Sequence, residues 1–207
     1  MTQSSTMLDN NICEEMMVHS LFYTHPNLKN IALIAADNSG LLREILKHPT
    51  IHSIWQEKTA ATETQDPRIN QYTEGLDAWL EHMPEAVLDG VIIGEGKTLS
   101  ADHYQQLFTV LKADGIFIQQ ALSLFNTEQI RGAYQVLQQC GFQDLQIMNF
   151  PVPSGSRTAI MAIKSGTFKR IREKDIFNKA FATRFYNFDM HKAALALPEF
   201  VREELAI

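Results

Sequence analysis

Four carboxylates in this chain each follow a short run that reads as a β-strand. Asp37 follows residues 31–34, Glu57 follows 51–56, Glu74 follows 69–73 and Glu95 follows 88–93. If those strands run parallel, all four acids line one rim of the sheet, where open α/β sheets bind ligands. An acid after the second strand commonly takes ribose hydroxyls, and one after the fourth can receive a proton from an amine nucleophile. Each acid alone could equally cap a helix or stay solvated; four on one rim favour a binding site.

The loop before the first helix sharpens this reading. Ile31-Ala32-Leu33-Ile34 suits a strand covered on both faces, and Leu41, Leu42, Ile45 and Leu46 recur at helical spacing. Between them a nucleotide-binding frame normally uses glycines, which let the backbone turn and approach a ligand. Here Ala35, Ala36 and Ser39 each add a Cβ, and only Gly40 remains.

Other motifs fail on spacing. Gly94-Glu95-Gly96-Lys97-Thr98 resembles the end of a phosphate-binding loop, but Val91 stands where that loop needs glycine, inside an expected strand. The seven histidines lack paired helical spacing with a carboxylate; His48 and His52 are four apart, but Pro49 interrupts the helix that would align them. No metal site is expected. No Gly-x-Ser-x-Gly elbow occurs, and Ser154-Gly155-Ser156 follows two prolines in what reads as a turn.

The elements that must position the acids alternate regularly. After a polar tail over residues 1–10, a helix spans 12–21 and ends in the turn Thr24-His25-Pro26-Asn27. Strands follow at 31–34, 51–56, 69–73, 88–93, 116–120, 145–150 and 159–163. Helices fall at 75–82, at 102–111 ending before Asp114-Gly115, and at 127–139 stopped by Gly141. This alternation predicts an α/β fold with a mostly parallel sheet, helices on both faces and a closing hairpin. Residues 1–29 form an N-terminal tail and helix, and 30–207 one domain.

The chain has 207 residues, 45% hydrophobic and 20% charged, which suffices for a full core. A net charge of −6 without basic runs argues against nucleic-acid partners and tolerates a cationic small substrate. Cys13 and Cys140 form neither a metal-type nor a redox-type spacing, so a reducing cytoplasm is expected. No signal core or membrane-length apolar run is visible.

At this point the residues resemble a known family. Glu15-Met16-Met17-Val18-His19, Thr24-His25-Pro26-Asn27 and Leu41-Leu42-Arg43-Glu44-Ile45-Leu46-Lys47-His48-Pro49 resemble the opening of the spermidine synthase (polyamine aminopropyltransferase) catalytic domain. Phe185-Tyr186-Asn187-Phe188-Asp189-Met190-His191-Lys192-Ala193-Ala194-Leu195-Ala196-Leu197-Pro198 resembles that family's C-terminal signature. The resemblance runs from about Glu14 onward. It implies a methyltransferase-like Rossmann fold with a seven-stranded sheet, and transfer of an aminopropyl group from decarboxylated S-adenosylmethionine to putrescine. No cofactor beyond that co-substrate is implied.

The resemblance also assigns roles. Glu95 stands at the family's catalytic aspartate, Asp37 and Asn38 replace part of its Gly-Gly-Gly-Asp-Gly-Gly loop, and Glu57 and Glu74 match its ribose and adenine acids. Gln120 retains the family's glutamine, Cys13 and Glu14 stand at its Tyr-His or Tyr-Gln pair, and Val152 replaces its amine-site tyrosine. The covering loop after the fourth strand is shortened, which should weaken water exclusion, and the small N-terminal β domain is absent. A degenerate site is therefore expected, either an atypical aminopropyltransferase or a non-catalytic homologue that senses ligands or binds protein. A homodimer is expected too, because the face that such a domain covers in the family would expose apolar surface such as Met16, Met17, Leu21 and Phe22.

Overall fold

The computed structural model describes residues 2–37, 39–58, 65–121, 123–168 and 171–205. Its seven strands form one sheet in the order β3-β2-β1-β4-β5-β7-β6. In chain order these are β1 (Asn30–Ile34), β2 (Ser53–Glu57), β3 (Ile69–Tyr72), β4 (Leu88–Ile93), β5 (Leu111–Ala121), β6 (Asp144–Val152) and β7 (Gly155–Ile163). β1 to β5 run parallel. β7 enters antiparallel between β5 and β6 as the expected hairpin. The winding reverses between β1 and β4, so the carboxyl ends of β1 to β4 share one edge with a switch point at its centre.

Helices cover both faces. On one, α1 (Thr2–Thr24) and α2 (Ser39–Leu46) bury Met16, Met17, Leu21, Leu41 and Ile45 against the sheet. On the other, α3 (Leu76–His82), α4 (Ala101–Val110) and α5 (Thr127–Gln139) contribute Trp79, Leu107, Ile130 and Leu137. β4 lies between the two cores and is buried at every position, which explains its apolar Val91-Ile92-Ile93 end; the buried Asp89 near its start is satisfied by the Lys29 and Asn30 backbone N–H groups and by Lys112. Three short helices follow, α6 (Glu173–Phe177), α7 (Phe188–Ala194) and α8 (Glu199–Leu205). No described helix is long and apolar enough to cross a membrane.

Three expectations are corrected. α1 extends through the supposed polar tail, because Asp9 is buried and held by the Ser154 hydroxyl, the Ser154 backbone N–H at 3.3 Å and Arg157 at 3.8 Å. Met16, Met17, Leu21 and Phe22 are core residues under the sheet, so they form no exposed face and lend a homodimer no support. The fourth long helix ends at Val110 rather than at Asp114-Gly115. β5 starts at Leu111, and its register against β4 jumps between the Leu88–Leu111 and Gly90–Ile116 pairs, so Asp114-Gly115 falls in the irregular part of a strand.

The C-terminal signature has a structural explanation in Glu15. Its buried carboxylate accepts backbone N–H bonds from Arg184, Phe185 and Tyr186 at 2.8–3.1 Å, pinning that segment to α1. The Tyr186 hydroxyl meets His191 Nδ1 at 2.8 Å within the core, and Asn187 caps α7 by accepting the Met190 N–H.

Candidate functional site

The loop after β1 and the loop after β4 are interlocked. The Gly94 N–H donates to the Ile34 carbonyl at 2.9 Å, and the Ala36 N–H to the Glu95 carbonyl at 3.2 Å. A Cβ at Gly94 would lie 2.7 Å from Leu41 Cδ1 and 2.8 Å from Ala35 Cβ; one at Gly96 would lie 2.8 Å from Ala36 Cβ. The methyl groups that replace glycine after β1 thus fit against glycines after β4. Gly96 also has φ +81°, which glycine adopts without strain. The fragment that resembled a phosphate loop is one half of this joint.

Acidic side chains surround the start of α2. The Asp37 carboxylate accepts the Ser39 N–H at 2.9 Å and the Ser39 hydroxyl at 2.8 Å, and these bonds hold it below the usual carboxylate range. Glu14, projecting from α1, lies against Gly40 in the first turn of α2 and pairs with Arg43 at 2.8 Å. Burial pushes the Glu14 carboxyl up, and Arg43 offsets only part of that rise. Two carboxylates already face the positive end of α2, so the site disfavours an anion there.

Beside them lies a cavity of about 220 Å³, lined by Glu14, Asp37, Glu95 and Gln120 together with Cys13 and Ala36. Of the residues expected from the sequence, the structure brings these four polar side chains together. The Cys13 thiol is pushed up to about 12, by burial first, with Arg157 opposing, so it serves as a neutral wall. Glu57 lies outside this cavity and is bridged by Lys97 at 2.7 Å. Glu74 is exposed; it accepts the Thr73 N–H at 2.8 Å and lines a separate groove with Trp55 and Trp79. Asn38 lies outside the described residues, and Val152 is buried in the core.

A larger groove of about 580 Å³ runs on the other side of the β4 loop, toward α5. It shares Glu95, Gly96 and Gln120 with the acidic cavity, so these residues form a partition between the two spaces. Its other walls are mostly neutral, including Leu99, Gln119, Gln129, Ile130 and Val136.

Behind the cavity, a buried polar network fixes α1 against α2. His19 Nε2 lies 3.1 Å from Glu44 Oε2, and His19 Nδ1 lies 2.9 Å from His48 Nε2. The carboxylate must accept, so His19 carries its proton on Nε2 and accepts from His48 through Nδ1. Burial raises the Glu44 carboxyl, yet the bonds from His19, Lys47 and Arg43 outweigh it and bring it down to about 2. Arg43 links the network to the site by touching Glu44 at 3.1 Å and Glu14 at 2.8 Å. Sequence reasoning missed this cluster because it sought paired histidines on one helix, whereas His19 and His48 lie on different segments. It also missed the Lys97–Glu57 bridge, for which the opposite charges of two rim residues were the available signal.

No family model matches the chain. Among curated proteins, the polyamine aminopropyltransferase of Alkalilimnicola ehrlichii is 33% identical over 223 residues, covering 95% of this chain and 78% of that relative. That of Methylococcus capsulatus is 33% identical over 224 residues, with the same coverage. Among solved structures, spermidine synthase from Thermotoga maritima superposes with a TM-score of 0.84 at 23% identity, covering 96% of this chain and 75% of that one. A spermidine synthase in complex with the transition state analogue AdoDATO gives 0.83 at 24%, covering the same shares of the two chains. A methyltransferase from Archaeoglobus fulgidus gives 0.60 at 12%, covering 75% of this chain and 94% of that one, in keeping with the methyltransferase-like sheet.

Proposed function

The chain belongs to the polyamine aminopropyltransferase family, and from that premise we propose that it transfers an aminopropyl group to a short cationic amine seated in the acidic cavity. The observation that carries this reading is the convergence of Glu14, Asp37 and Glu95 with Gln120 on one cavity of about 220 Å³. That volume is below the roughly 300–1,000 Å³ of sites for larger ligands, and it suits an aliphatic diamine such as putrescine. Glu14 and Asp37 hold the ammonium groups, Gln120 orients the chain, and Glu95 accepts the proton that the attacking amine must lose. The donor in this reading is decarboxylated S-adenosylmethionine. The amine nitrogen attacks the carbon beside the sulfonium, the carbon–sulfur bond breaks with its electrons going to sulfur, and a neutral thioether leaves. Alignment and proton removal are the contributions required of the protein.

Glu57 favours a second reading. Its carboxylate, expected at the donor ribose, is engaged by Lys97, as suits a homologue that binds amines without transferring to them. The free thiols of Cys13 and Cys140 agree with a cytoplasmic setting for either reading. Incubation with decarboxylated S-adenosylmethionine and putrescine separates the two. Spermidine formed by the wild type and reduced at least a hundredfold in Glu95→Gln supports transfer; diamine binding without product supports the sensing module.

A further inference from the structure

The lysine of the fragment that resembled a phosphate loop has a partner of its own. Lys97 Nζ lies 2.7 Å from Glu57 Oε2, so a side chain from the β4 loop holds the acid at the carboxyl end of β2. β1 stands between those two strands, and neighbouring strands are about 4.8 Å apart, so the lysine spans the end of β1. The acid at the end of the second strand of such a sheet ordinarily accepts ribose hydroxyls. We propose that Lys97 is a specificity-determining residue, which competes with the ribose of an adenosyl ligand for Glu57 and yields when the ligand binds. This rests on the transferase reading, in which an adenosyl donor visits that rim.

The geometry of the pair permits exchange. The Lys97 side chain is 29% exposed and that of Glu57 31%, and ion pairs so open to water are weak. The Lys112–Asp89 pair is the contrasting case: the Asp89 side chain is 8% exposed and also accepts the Lys29 and Asn30 N–H groups at 3.1 and 2.7 Å. The Glu57 carboxylate takes no other hydrogen bond among the described residues. Its Oε1 is therefore open to a first ribose hydroxyl, and the neighbouring hydroxyl takes Oε2 from the ammonium. Only the lysine side chain has to move. The Gly94 and Ala36 backbone bonds anchor the start of the loop, and the Lys97 stem borders the groove toward α5. There Gln119, Gln129 and Glu95 offer the released ammonium new acceptors.

Methylthioadenosine is the probe, because it carries the ribose and no charge. A rise in its affinity with salt then reports the weakening of an ion pair that it must break. It is titrated calorimetrically into wild type, Lys97→Met, Lys97→Arg, Glu57→Gln and the double variant Glu57→Gln/Lys97→Met, with thermal unfolding of each as a folding control. Competition predicts that Lys97→Met binds about two- to fivefold tighter than wild type, the range that a part-exposed ion pair can hold back. Lys97→Arg should bind like wild type, and the gain should be absent in the double variant relative to Glu57→Gln. Raising the salt from about 0.01 to about 1 M, which shortens the screening length from about 30 to about 3 Å, should strengthen binding to wild type more than to Lys97→Met. The proposal is overturned if Lys97→Met binds no tighter than wild type, or if its gain persists undiminished beside Glu57→Gln. Either result leaves the transferase reading standing as long as wild type binds the nucleoside. Failure of both wild type and Lys97→Met to bind it overturns the two together.

Discussion

The Glu14 carboxylate rests on Gly40 so closely that a Cβ there would come within 1.8 Å of Oε1. Glycine is thus required at this point by a side chain of the protein itself. Arg43 completes the arrangement, clamping Glu14 from one side and Glu44 from the other.

Gly40→Ala should therefore expel Glu14 from the cavity while leaving the fold intact, since the obstruction is the end of a flexible side chain. Charge-assisted hydrogen bonds are worth roughly 1.5–3 kcal/mol, so putrescine binding should weaken about tenfold or more. Glu14→Gln should weaken it similarly. Calorimetry on both variants, beside a thermal melt, checks this; unchanged affinity in both would remove Glu14 from the amine site.

The joint between Ala35 and Gly94 makes a second prediction. Gly94→Ala overpacks the contact with Ala35 and Leu41 and should cost about 1–3 kcal/mol in denaturant unfolding. Adding Ala35→Gly removes one of the two clashing methyls and should recover part of that loss, giving a non-additive cycle. Strict additivity would mean that the two loops do not rest on each other in solution.

Much of this was legible in the sequence, for physical reasons. β4 announced itself through Val91-Ile92-Ile93, because a strand buried on both faces favours apolar side chains, and the acids at parallel strand ends had to share an edge. The role of Gly94 and Gly96 was hidden, because their partners Ala35 and Ala36 lie far away in sequence and meet them only across the sheet. α1 was read too short, since Asp9 is buried by a long-range contact with Ser154 rather than by helical periodicity. Tertiary contacts of this kind also divided the rim: Lys97 took Glu57, and the local turn took Glu74 into another groove.

The buried histidines set a pH dependence. Burial first, then neighbouring His19, lowers His48 from 6.5 to about 2, and burial lowers His191 to about 4. Both stay neutral in the fold while the unfolded chain takes up protons below 6.5, so the unfolded state binds more protons there. Stability is complete above pH 6.5 and falls as the pH drops below it. Glu44, down to about 2, adds a second loss as the pH falls below its ordinary 4.5. Melting temperatures between pH 7.5 and 3.5 should decline in that order, and His48→Gln should flatten the upper part of the curve. A flat profile from pH 7 to 5 in the wild type would contradict the buried neutral assignment.

The most direct measurement of the central claim is a calorimetric titration of putrescine at pH 7.5 into wild type, Glu95→Gln and the double variant Glu14→Gln/Glu95→Gln. The acidic cavity predicts one site per chain, weakened about tenfold by the first change and further by the second, with unaltered melting of the protein. Equal affinity in all three would contradict the cavity as the seat of the amine.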